Sequence, residues 1–165
     1  NEGVIARVAT ALARFSSHYG LQKQGLGVLH YLLFDKNSDC IFAILQRKGV
    51  TLSMKALEKS VSQLQRLEKK DRIESTGITC CDIIEFSLQI LIICCSFTLN
   101  AYTEAKDSDI EKLINDAKLA IEGCLQEDRC ALLLAKLLKI MKSKPPTEKK
   151  QKKKKKKECV FVYIF

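Results

Sequence analysis

The residues best suited to hold a metal or carry a reaction are two histidines and eight cysteines. His18 and His30 stand 12 residues apart, with no acidic or thiol ligand at helical spacing to both. No Cys-x-x-Cys pair occurs. A zinc site needs donors brought together by such spacing, so no metal is expected. Ser16-Ser17-His18 places a hydroxyl beside an imidazole, but it sits where a helix ends and lacks the Gly-x-Ser-x-Gly setting of a strained nucleophile, so it reads as turn chemistry. Gly20, Gly25 and Gly27 do not form a phosphate-cradling loop. The sequence therefore offers no catalytic residue, no cofactor site and no metal site, and a non-enzymatic protein is expected.

The cysteines point to burial. Cys80-Cys81 and Cys94-Cys95 are adjacent pairs in apolar, helix-like text, and Cys124 and Cys130 also lie in helical segments. Neighbours on a helix point about 100° apart, since a turn takes 3.6 residues. They are expected to be reduced thiols acting as small apolar side chains, which suits a cytoplasmic or nuclear compartment.

The net charge of +9 looks like that of a nucleic-acid binder until it is located. Ten lysines and two glutamates fall between Lys142 and Glu158, leaving 18 basic and 17 acidic side chains elsewhere. The helical part is close to neutral, so affinity for phosphate, which grows with the number of phosphates neutralised, is expected only of the tail. There Lys149, Lys150, Lys152, Lys153, Lys154, Lys155, Lys156 and Lys157 are the contacts available to nucleic acid or anionic lipid. Such a run is expected to be disordered by self-repulsion, and an adenine-rich coding tract would also produce it. The opening Asn1-Glu2-Gly3 carries no secretory signal pattern, and the chain reads as a piece of a longer intracellular protein.

The elements that would position any site are helical throughout, about seven of them, because apolar residues recur at three and four and no stretch alternates as a strand would. Stripes run through Val4 to Phe15 and Leu21 to Phe34, and a third helix capped by Ser38 or Asp39 ends at Gly49. Leu52 to Ile73 reads as one amphipathic helix with a narrow apolar stripe, interrupted at Ser75-Thr76-Gly77 before a strongly apolar helix from about Thr79 to Asn100. Ser108 and Glu111 match a capping box that should open the next helix, through Leu125. After a turn at Gln126 to Asp128, Cys130 to Met141 forms the last, stopped by Pro145-Pro146. The apolar run Phe86 to Leu99 is too short to span a bilayer and is expected to be a buried central helix, with no transmembrane span. Residues 1–143 form the folded segment in this reading, and residues 144–165 the tail.

Three helices align on a small residue followed by leucine. They are Gly25-Leu26-Gly27-Val28-Leu29, Ser87-Leu88-Gln89-Ile90-Leu91 and Ala131-Leu132-Leu133-Leu134-Ala135. The stretch ALARFSSHYGLQKQGLGVLHYLL, Ala11 to Leu33, resembles the armadillo-repeat pattern of a helix end, a polar turn and a helix opening Leu-Gln-x-x-Gly-Leu, and CIFAILQRKGV, Cys40 to Val50, is similar to a short helix of such a unit. The resemblance implies an all-α, armadillo-like right-handed helical solenoid that binds a protein partner in its groove. The Leu52 to Ile73 segment departs from the pattern by its charge.

Overall fold

The computed structural model describes residues 2–34 and 37–146. These form eight α-helices and one 3-10 helix, with no strand among the described residues. In chain order they are α1 (Glu2–Arg14), α2 (Tyr19–Leu33), α3 (Ser38–Gln46), α4 (Gly49–Arg66), the 3-10 helix Lys69–Ile73, α5 (Ser75–Phe97), α6 (Leu99–Asp107), α7 (Ile110–Ala120) and α8 (Glu127–Lys142). The candidate tail contacts Lys149, Lys150 and Lys152 to Lys157 lie outside the described residues.

The helices pack in two rows. α2, α5 and α8 lie side by side, α1, α4 and α7 make a second row, and α1 packs on α2, α4 on α5, and α7 on α8. Side-chain contacts fix the directions. Lys23 Nζ meets Asp82 at 2.7 Å, and seven residues on His30 stacks on Phe86, so α2 and α5 run the same way. Gln126 Nε2 donates to Asp82 at 3.0 Å and Arg129 Nη1 to Glu85 at 3.2 Å, so α8 also runs with α5. Thr51, early in α4, donates to Glu104 just ahead of α7, whereas Arg72, just after α4, reaches carbonyls at the end of α7. The second row therefore shares one direction from α4 to α7. Both α5–α8 polar contacts join residues 44 apart in sequence, the spacing that relates Ser87 to Ala131. Burial does not follow the five-position alignment throughout. Leu132 is 70% exposed where Leu26 and Leu88 are buried, so the three aligned segments are not equivalent in burial.

α5 is the axis of the molecule. Ile83, Ile84, Leu88, Leu91, Cys94 and Cys95 are buried, and its neighbours are α2, α4, α6 and α8. Its length and composition would let it cross a membrane, yet 67% of its most apolar 18-residue window is buried inside the fold. α4 buries a wider face than its leucines suggest, because Ser53, Ala56 and Ser60 are buried along with Leu57, Val61 and Leu64. Small residues let two helices approach closely, and a hydropathy stripe does not register them.

Three long side chains close helix ends. The last carbonyls of a helix have no internal donor. Gln22 Nε2 supplies one to Leu12 O at 2.8 Å and Phe15 O at 3.2 Å at the end of α1. Tyr102 Oη donates to Met141 O at 2.8 Å and Ser143 O at 3.2 Å at the end of α8. Arg72 Nη1 donates to Ala120 O at 2.9 Å and Glu122 O at 2.8 Å at the end of α7. Arg72 is buried, and the negative end of the α7 dipole offsets its charge.

Several boundaries differ from the sequence expectation, among them the start of α5 at Ser75 rather than about Thr79 and the end of α7 at Ala120 rather than Leu125. α4 stops at Arg66 and a separate 3-10 helix follows, in place of one helix to Ile73. Gly49 opens α4 rather than ending α3; Lys48 takes the left-handed turn with φ 59°, and Gly49 is required because a Cβ there would lie 2.9 Å from Ile44 O. Asn37, not Ser38 or Asp39, caps α3 by accepting from Asp39 N at 2.8 Å. The Ser108–Glu111 box does not form: Ser108 Oγ donates to Glu104 O at 2.9 Å, finishing α6, and Asp109 enters α7 with φ 55°. α6 itself, opened by Thr98 accepting from Ala101 N at 3.2 Å, is the helix that raises the number to eight.

Candidate functional site

Both histidines have structural partners. His18 Nδ1 accepts from Leu21 N at 3.1 Å and caps α2, which places Ser16-Ser17-His18 in a turn as expected. The His30 ring stacks on Phe86 with centroids 5.8 Å apart, and burial lowers its pKa, with Glu85 pulling weakly the other way. Among the described residues no three His, Cys, Asp or Glu side chains gather to hold a metal.

The seven described cysteines are free and buried. Burial pushes Cys80 up to about 11 and Cys94, Cys95 and Cys130 to about 12, and raises Cys81 further still with help from Cys124. The thiolate is the nucleophile, so these groups are poor ones. Cys80, Cys81, Cys94, Cys95 and Cys130 will resist iodoacetamide at pH 8 in the folded protein and react after unfolding, as read by peptide mass spectrometry. Labelling of the native protein at the unfolded rate would contradict their burial. The folded state favours the neutral thiol, so this contribution to stability is complete below the ordinary value of 9.0 and is lost as pH rises from there toward about 11 for Cys80.

Grooves lie between several of the helices. One of about 430 Å³ separates α4 from α7, lined by Thr51, Lys55, Glu58, Ser62, Lys112 and Asp116. Another of about 390 Å³ separates α1 from α4, and one of about 450 Å³ lies between α3 and α6. The α4–α7 groove has polar walls over an apolar floor of buried Met54 and Val61 and half-buried Leu113.

The α2–α5–α8 row presents a different surface. Asp82, Phe86, Gln89 and Ile93 follow one another at spacings of four, three and four, so they share one side of α5, and all four are half-buried. Tyr31 on α2 is 78% exposed, and Phe34, which ends the helix and follows Lys23, Gly27 and His30 at spacings of four and three, is 72% exposed. On α8 Arg129, Leu133, Lys136 and Ile140 repeat the same spacing, with Leu133 and Ile140 half-buried and Lys136 exposed. α5 is thus the half-buried floor of this surface, between two helices that carry more exposed side chains. One end of the floor is polar: Asp82 is held by Lys23 and Gln126, and Glu85 by Gln89 at 3.1 Å and Arg129 at 3.2 Å. The other end is apolar. Gln89 and Gln126 turn their donors to these carboxylates and leave their buried Oε1 atoms without a donor among the described residues.

Sequence reasoning did not assemble this surface. Asp82 and Gln89, seven apart in the most apolar helix of the chain, were the available signal, because polar residues at that spacing mark the side of a buried helix that reaches solvent.

No protein-family model, curated protein or solved structure matches the chain.

Proposed function

We propose that the chain is a non-enzymatic interaction scaffold of the stacked-helix, armadillo-like kind, and that it holds a protein partner on the α2–α5–α8 face. The observation that carries this reading is the shared direction of α2, α5 and α8, which lie side by side and make one continuous surface. Neighbours in an up-and-down bundle alternate in direction, whereas stacked repeats place equivalent helices side by side and parallel. Contacts between residues 44 apart agree with a repeating unit of that length. Reduced, buried thiols fit a cytoplasmic or nuclear setting.

Exposed aromatic side chains beside half-buried apolar ones are the composition of interaction hot spots. A benzophenone amino acid placed at Gln89 in cells is expected to cross-link a partner, and the same group at exposed Asn115 on α7 is not. The added change Phe34→Asp should abolish the Gln89 adduct. Equal yields at the two positions, or an adduct indifferent to Phe34→Asp, would remove this face from the function.

A further inference from the structure

We infer that the segment bound by the α2–α5–α8 face is an amphipathic helix with an acidic flank, an inference that rests on the scaffold reading above. The floor supports the helical part. Phe86 and Ile93 are seven residues apart on α5, as are Leu133 and Ile140 on α8, so apolar contacts recur about every 10 Å along the surface, the length of two helical turns. A helix laid along α5 presents its own apolar residues at that repeat, as in other helix-in-groove complexes.

Charge supports the acidic flank. The two carboxylates of the face, Asp82 and Glu85, are already engaged by Lys23 and Arg129. Lys136, in the α8 row, and Lys139 beside it are exposed and make no ion pair among the described residues. Asp128, exposed and likewise without an ion pair among the described residues, lies at the opposite end of α8, so the charge left free on the C-terminal half of the α8 edge is positive, and a carboxylate-bearing flank complements it where a lysine-bearing one would be repelled. An anionic membrane would meet the same lysines, but the half-buried Phe86 and Ile93 have little side chain to insert into it, and it offers no reason for an apolar repeat of two helical turns.

The test uses the full chain and three probes. These are a fluorescent helical peptide of about 17 residues with leucine at three–four spacing and glutamate on one flank, the same peptide with lysine there, and phosphatidylserine-containing vesicles. The glutamate peptide is expected to bind at least about tenfold more tightly than the lysine peptide. Lys136→Glu with Lys139→Glu should weaken the glutamate peptide by about fivefold or more and strengthen the lysine peptide, since both positions are exposed and lie outside the core. Phe34→Asp should weaken both peptides. Equal binding of the two peptides, both lost in Phe34→Asp, would overturn the acidic flank and leave the scaffold reading standing. Vesicle binding that depends on Lys136 and Lys139, with no binding of either peptide, would overturn both.

Discussion

Replacing Arg72 by alanine is expected to lower the free energy of unfolding by about 3 kcal/mol, the size seen when charged hydrogen bonds to buried carbonyls are removed. The guanidinium closes the end of α7 by donating to Ala120 O at 2.9 Å and Glu122 O at 2.8 Å. Its loss leaves the Ala120 carbonyl without this donor and a void beneath the 3-10 helix that carries it. The 3-10 helix packs on α5, so the effect reaches beyond one helix end. Arg72→Lys keeps the charge at the negative end of the α7 dipole but lacks the rigid planar head, and it should recover about half of the loss. Urea unfolding of the three proteins measures this; an alanine variant within about 0.5 kcal/mol of the parent, the range of ordinary surface changes, would show that the contact carries no weight.

Gly77→Ala is expected to destabilise by about 2 to 4 kcal/mol, against the direction that helix propensity predicts. Gly77 lies in the first turn of α5, where alanine would ordinarily gain up to about 1 kcal/mol over glycine. A Cβ there would overlap the Arg72 carbonyl and come 2.6 Å from Arg72 Cα. The obstacle is backbone, which cannot rotate aside as a side chain can, so the 3-10 helix and α5 would have to separate. Thermal unfolding decides the sign: a higher melting temperature for Gly77→Ala would mean that the two elements part easily. Because the substitution displaces the backbone of Arg72, Arg72→Ala and Gly77→Ala should be less than additive when combined.

Helix positions were legible where burial depends on large apolar side chains. The stripes at Leu26, Leu29 and Leu33 and at Ile83, Ile84, Leu88 and Leu91 sit in the core as their spacing requires. The thiols were legible for the same reason, since apolar helical text on both sides of an adjacent pair leaves them little but the interior. Boundaries were less so. Gly49 and Gly77 looked like stops, yet both sit inside helix openings where close approach, not positive φ, demands a missing side chain. Close approach is set by residues distant in space, and local text does not carry it. Ser108 matched a cap by spacing, but its hydroxyl finishes α6, a helix whose buried residues Ala101, Tyr102 and Ala105 are too few to raise a stripe. The α2–α5–α8 face was hidden for a related reason. Lys23, Asp82 and Gln126 belong to three helices, and their meeting depends on which helices are neighbours and in which direction each one runs.

Those directions underlie both the scaffold reading and the partner inferred for it, and zero-length carbodiimide cross-linking reads them directly. The reagent joins an amine to a carboxylate only when the two touch. Lys23 and Asp82, 2.7 Å apart, should be linked in the native protein, with Lys70–Glu68, 3.0 Å apart, as the local control. A Lys23–Asp82 amide found by peptide mass spectrometry is the result predicted by parallel α2 and α5. Linkage of Lys70 to Glu68 with none between Lys23 and Asp82 would contradict the shared direction, and with it the continuous face on which the function is placed.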